Sequence, residues 1–402
     1  MMKKFLLLFL PYFFLPVFTQ SQSNCVGSFE EYYLNSNNIR ASFFPRGNKF
    51  TNGDEGGFLV PYPSDKRLTT IFASSPWIGG FDDAGNLKFA GETFAVPWNT
   101  NFSVGPLTSI GLPYYQDCEM FDKAWSVFSE DILAHKEDWE SDFVLSDTIP
   151  SIFGWPARGN QYFERFNGFE IPNDNQGLAD FFDRNGNNSY DPDLGEYPVV
   201  RFENGWPKIP DQMLWMVFND VDTNNLSGNR PVRFEFQLTA FAFHCADNEL
   251  LNNTVFSQYK IINRAVTALD STFFGFWTDY DLGCYLDDYI GCDSMRSTEF
   301  VYNADPVDGE PGNNCFSEIE AYSGIPPVQT MTYLSHPMAG FSSSGFDVGL
   351  PFENYNLLNG QWGDGTPIRP AGDGYNEDPA LRPTKFLFHG DEFLNFGEFL
   401  TL

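Results

Sequence analysis

The clearest pattern of apolar and polar positions lies at Val232-Arg233-Phe234-Glu235-Phe236-Gln237-Leu238, where the two kinds alternate without a break. Successive side chains of a strand point to opposite faces, so this stretch reads as a strand with Phe234, Phe236 and Leu238 on one buried face. Residues 253–263 and 271–278 read as the next two strands, joined by turns at Ala246-Asp247-Asn248-Glu249 and Thr267-Ala268-Leu269-Asp270. Short connections predict that 232–243, 253–263 and 271–278 are neighbours in an antiparallel meander or sandwich face. Upstream, residues 69–73 and 87–90 flank Gly79-Gly80 and Asp82-Asp83-Ala84-Gly85, a strand, a turn and a strand. One helix breaks the pattern. Phe121, Trp125, Phe128 and Ile132 fall at steps of four, three and four, which predicts an apolar stripe packed on a sheet, with Asp117 or Asp122 near the helix start. The expected fold is mainly β: antiparallel β-sandwich-like sheets with long loops and one or two short helices.

The first residues read differently. Lys3 and Lys4 precede an apolar run from Phe5 to Phe18 and a small polar stretch, Thr19 to Ser23, the order of a cleavable secretory signal. The run is too short for a comfortable membrane span, Pro11 and Pro16 interrupt it, and no transmembrane segment follows. The expected organisation is a signal peptide at 1–23, an N-terminal β region at 24–112, a helix plus Asp/Asn-rich loop region at 113–230, and a β-sandwich region at 231–402. The expected location is outside the cell or on its outer surface.

Charge sharpens this picture. With 54 acidic and 23 basic side chains the formal charge is −31, so a nucleic-acid partner is excluded for want of a basic surface. Aromatic residues make up 18% of the chain, too many for a disordered acidic tail and enough for a large core. Outside a cell, where divalent cations are plentiful, such acidity suits cation binding as well as solubility. The six cysteines, at 25, 118, 245, 284, 292 and 315, permit up to three disulfides, and neither they nor the four scattered histidines make a zinc pattern.

A series of phrases carries a family resemblance. It runs from Ser75-Pro76-Trp77-Ile78-Gly79-Gly80 and Asp117-Cys118 through Gly154-Trp155-Pro156-Ala157, Asp183-Arg184-Asn185-Gly186-Asn187 and Gly195-Glu196-Tyr197-Pro198. It continues with Trp215-Met216-Val217-Phe218-Asn219-Asp220, Asp287-Asp288-Tyr289-Ile290-Gly291-Cys292-Asp293, Trp362-Gly363-Asp364-Gly365-Thr366-Pro367 and Lys385-Phe386-Leu387-Phe388. Together these resemble the amino-terminal region of large secreted proteins of Bacteroidota exported by the type IX secretion system. The resemblance covers about three quarters of the chain and implies export and surface display, not a reaction. Two departures stand out: no Gly- and Lys-rich sorting domain is identified before Leu402, and His389 stands where the pattern has Pro. The resemblance also implies a Cys118–Cys292 bridge in preference to a local Cys284–Cys292 bridge.

The best chemical motif is Asp183-x-Asn185-x-Asn187-x-Ser189-x-Asp191. Oxygen donors at alternate positions of a tight loop converge on one hard cation, with the Ser189 carbonyl as a further donor. Position twelve is Leu194, so Asp193 or Glu196 has to supply the missing carboxylate, and position six is Asn188, a residue tolerant of the left-handed region. The competing reading is an Asn/Gly/Asp turn with no metal. Asp220, Asp222 and Asn224 form a weaker echo, and Asp279, Asp281, Asp287, Asp288 and Asp293 a third acidic cluster, which reads equally as a solvated loop. No Gly-x-Ser-x-Gly elbow, His-Glu-x-x-His or phosphate-binding loop is present, and no residue stands out as a catalyst. The leading expectation is a non-enzymatic module with structural Ca2+, part of an adhesin-like or matrix-facing protein. The alternative is a secreted carbohydrate-active enzyme or glycan-binding protein, and the partners would be an extracellular polysaccharide or a surface protein.

Overall fold

A computed structural model of the protein describes residues 30–51, 55–93, 101–114, 118–172, 177–202, 205–221, 231–309, 320–344, 350–370, 374, 378, 380–388 and 400–401. The leader at 1–23, Cys25, Asp117, Asp222, Asn224, Cys315 and His389 lie outside these residues.

The architecture is mainly β, with several antiparallel sheets and few, short helices. Its centre is the strand Gln212–Asn219, buried along its whole length. Alternation divides its side chains between two cores. Leu214, Met216 and Phe218 enter one, and Met213, Trp215 and Val217 the other. That strand pairs with Phe234–Ala242 on one side, and on the other with Trp125–Phe128 and Ser103–Val104. Val255–Asn263 completes the five-stranded sheet as the partner of Phe234–Ala242. Strands from all three expected regions therefore share one sheet.

The alternating strand is where it was expected, and Phe234, Phe236 and Leu238 are buried. Its polar face is buried too. Glu235 accepts hydrogen bonds from Arg264 at 3.1 and 3.2 Å, from Leu107 N at 2.9 Å and from Gln237 Nε2 at 2.8 Å. A buried carboxylate is tolerable only when so satisfied.

Several expectations are corrected. The third strand of the meander, Leu269–Asp279, does not pair with Val255–Asn263. It crosses to a three-stranded sheet with Ala73–Asp82 and Leu87–Gly91. A short connection sets how far the chain can travel, not which edge it meets, and Ala73–Asp82 offers a long one. Gly80 permits the approach: a Cβ there would lie 2.5 Å from Thr272 Oγ1. The hairpin between Ala73–Asp82 and Leu87–Gly91 turns at Asp82–Asn86, and Gly79-Gly80 lies inside the first strand.

The stripe from Phe121 to Ile132 is not one helical face. Phe121 ends a 3₁₀ turn, Cys118–Phe121, and Trp125 and Val127 point inward from a strand paired with Gln212–Asn219. The helix begins only at Ser129, with Glu130 and Asp131 in its first turn, and Phe128 is 43% exposed. Trp125 lies directly opposite Trp215, ring centroids 5.6 Å apart, and this cross-strand pair outweighs the local helical spacing.

Cysteine pairing also departs from expectation. Cys292 is free and buried, its thiol donating to Leu387 O at 3.3 Å, and Cys245 is free. Cys284 is disulfide-bonded. Neither the Cys118–Cys292 nor the Cys284–Cys292 bridge exists, because core packing claims the Cys292 sulfur.

Candidate functional site

The strands Phe181–Phe182 and Tyr197–Pro198 form a short antiparallel ladder, and residues 183–196 are the loop that it closes. Phe182 stacks on Tyr197 with centroids 5.0 Å apart. The loop is bound to the body of the protein by Tyr190, which is fully buried and donates to Ile152 O at 2.9 Å, and by Gly195, which lies against Trp139. Arg184 covers the Trp139 ring at 4.2 Å. Leu178, Ala179, Phe181 and Tyr190 anchor this segment in the core.

Within the loop the polar side chains are ordered by the backbone. Asp183 accepts from Gly186 N at 2.8 Å and Asn188 N at 2.9 Å. Asn185 Oδ1 accepts from Asn187 N, and Asn187 Oδ1 from Ser189 N. Asn188 has φ 60°, the left-handed conformation its position requires. Asn185 Nδ2 and Asn187 Nδ2 both donate to Asp191 Oδ2, at 3.1 and 2.7 Å. Beneath them Glu196, with no exposed surface, accepts from Arg184 N at 2.8 Å and Asp191 N at 2.9 Å. Burial raises its carboxyl above the ordinary range, with Asp183 adding to the effect. Asn185, Asn187, Asp191 and Glu196 are thus gathered at one place, and the Ser189 hydroxyl, which is not the donor expected of that residue, donates to Gly159 O at 3.4 Å.

Of the echo, Asp220 alone is among the described residues, and its carboxylate binds the backbone. Its Oδ1 accepts from Phe234 N at 2.7 Å, and its Oδ2 from Val232 N and from Arg233 N at 3.1 Å. The carboxylate pins the start of the next strand, and burial pushes its pKa up to about 6.

The third cluster is partly brought together. Asp279, Asp281, Asp287 and Asp288 lie where Leu269–Asp279, the 3₁₀ turn Tyr285–Asp287 and the strand Asp288–Asp293 meet. Asp293 is at the far end of that strand, roughly 17 Å along it at the usual rise, and pairs with Arg296. Asp308, which the sequence gave no reason to include, joins the group instead. It is buried, and accepts from Cys284 N at 2.8 Å and from Tyr322 N. Burial, with neighbouring acids, pushes Asp288 up to about 8 and Asp281 up to about 7, and burial alone pushes Asp279 up to about 6.

A cavity of about 2640 Å³ runs between the strands Val255–Asn263, Leu269–Asp279 and Val328–Thr332. It is several times larger than a typical small-ligand pocket of roughly 300–1,000 Å³, so it is a trough between sheets. Lys49 lines it, 3% exposed, with its ammonium 4.3 Å from the Phe276 ring centroid and 5.6 Å from that of Tyr259. Burial lowers Lys49 to about 7, against the opposing pull of Glu299. Glu299 accepts from Tyr280 Oη at 3.1 Å and is itself pushed up to about 7 by burial. Neither residue was visible as a candidate in the sequence, because Lys49 and Glu299 meet only across the folded core.

Among the described residues no helix is long and apolar enough to cross a membrane. Compared with protein-family models, curated proteins and solved structures, the chain finds no match.

Proposed function

We propose that this chain is a non-enzymatic, calcium-stabilised β module that works outside the cell. Displayed at the outer surface through the type IX route, it would serve as part of an adhesin-like or matrix-facing protein. The observation that carries the calcium reading is the convergence of Asn185 and Asn187 on one oxygen of Asp191, over the buried carboxylate of Glu196. Side-chain oxygens at alternate loop positions with a buried carboxylate below suit a hard cation, which would take the place of the two amide donors at Asp191. Extracellular modules bind calcium at about 10⁻⁴ to 10⁻³ M, so the absence of a carboxylate at Leu194 is tolerable. The test is thermal melting with excess calcium or with chelator, on the wild type and on Asp183→Ala. Calcium should raise the wild-type melting temperature and leave Asp183→Ala much less affected. An identical wild-type melt in both media would refute the reading.

The inter-sheet trough favours a second reading, glycan binding or hydrolysis, because Trp77, Trp277, Asp279, Asp281 and Glu299 line it. Trp77 is buried, so the half-exposed Trp277 is the face that would stack on a sugar ring, and Asp281 and Glu299 have raised pKa values suited to acid catalysis. Retention of the protein on a polysaccharide column, lost in a Trp277→Ala variant, would support this reading over the first.

A further inference from the structure

We propose that the inter-sheet trough holds a free long-chain carboxylic acid, with the carboxylate on Lys49 and the apolar chain along the strand Leu269–Asp279. Lys49 carries the argument. It lines the trough, is 3% exposed, and its ammonium has no hydrogen-bond or ion-pair partner among the described residues. The ammonium meets rings instead, with the Phe276, Phe50 and Tyr259 centroids at 4.3, 5.5 and 5.6 Å. A buried cation without an acceptor is strongly unfavourable, and cation–π contact offsets part of that cost. The Tyr259 hydroxyl is also buried with no hydrogen-bond partner. Two donors without acceptors beside one aromatic wall suit a ligand that brings an acceptor and is otherwise apolar.

The trough supplies the apolar half of the site. Tyr259 packs on Phe276 and Phe274, ring centroids 5.1 and 6.1 Å apart, and Phe274, Val328 and Leu334 line the space while exposed to solvent. Apolar side chains left wet around a cavity of about 2640 Å³ favour an apolar occupant. Lys49 sets the charge of the head group. An anion gives the ammonium a charge-assisted hydrogen bond, whereas an alcohol or an ester leaves its charge uncompensated. The charge that bears on Lys49 is that of Glu299. Glu299 accepts from Tyr280 Oη at 3.1 Å, and burial pushes it up to about 7, so at pH 6 it is mainly protonated and does not repel the ligand. Alternation separates this site from the sugar-stacking face. Phe274 and Phe276 share one face of their strand with Tyr259, and Trp277 lies on the other against Trp77 and Phe89.

The test is a fluorescence titration of the full chain at pH 6 with a dansyl-labelled undecanoic acid and with its methyl ester. The acid should bind one per chain with blue-shifted emission, and dodecanoic acid should displace it. The ester should bind about tenfold more weakly or worse, because it cannot neutralise the ammonium. Lys49→Met keeps the apolar stem and removes the charge. It should weaken the acid by about tenfold or more, so that acid and ester bind alike. A melting temperature no lower than that of the wild type shows that the loss is of binding and not of folding. Should that variant fail to fold, the comparison of acid with ester on the wild type decides. Absence of saturable binding, equal wild-type affinity for acid and ester, or an unchanged acid affinity in folded Lys49→Met overturns the proposal. Calcium-dependent melting and retention on polysaccharide are separate measurements, so either of those readings can fail while this one stands.

Discussion

Replacing Lys49 with Met should stabilise the protein, and should do so only below alkaline pH. Lys49 is 3% exposed, ringed by Phe50, Tyr259 and Phe276, and burial lowers it from 10.5 to about 7. At about 1.4 kcal/mol per pH unit, that difference disfavours the buried ammonium by about 5 kcal/mol. Cation–π contact at a desolvated site returns about 2 kcal/mol. Lys49→Met should therefore gain about 3 kcal/mol at pH 6. The sign with pH follows from proton counting. Between about 7 and 10.5 the unfolded chain holds the Lys49 proton and the folded chain does not, so wild-type stability rises with pH in that window. The advantage of the Met variant should accordingly shrink to below about 1 kcal/mol by pH 10. Glu299 acts in the other direction. Its folded value of about 7 lies above the ordinary 4.5, so its contribution to stability falls as pH rises from 4.5 to 7. Together the two groups place a local minimum in stability near neutral pH. Urea unfolding midpoints of both proteins at pH 6, 7.5, 9 and 10 test this, because the difference cancels titrating groups that do not interact with Lys49, leaving Lys49 and its coupling to Glu299. A gain that is independent of pH, or a less stable variant at pH 6, would refute the reasoning.

Three further outcomes are expected. Arg264→Met should cost about 3–5 kcal/mol by leaving Glu235 buried without its cation, and adding Glu235→Gln should recover much of the loss in chemical denaturation. Gly283→Ala should destabilise by at least about 1–3 kcal/mol, from positive φ and from the 2.0 Å approach to Asp308, read as a lowered melting temperature. Cys292, buried and pushed up to about 12, should resist iodoacetamide at pH 8 until the chain is unfolded, whereas half-buried Cys245 should be labelled in the native protein, as peptide mass mapping would show.

Sequence alone determined what depends on neighbouring residues. Period-two alternation placed the strand at 234–242 and buried Phe234, Phe236 and Leu238, because the pleat of a strand is a local property. Turn chemistry marked the Asp82–Asn86 hairpin, and the Asp/Asn spacing marked the loop at 183–196, where each side chain bonds a backbone N–H only two to five residues away. Tertiary structure decided everything set by which surfaces meet. Trp125 became a strand residue because Trp215 lay opposite it, and Leu269–Asp279 left its sequence neighbour for the edge of Ala73–Asp82. Asp308 replaced Asp293 beside Asp288, and Lys49 came to face Glu299 across the trough, pairings set by long-range packing that no local spacing encodes.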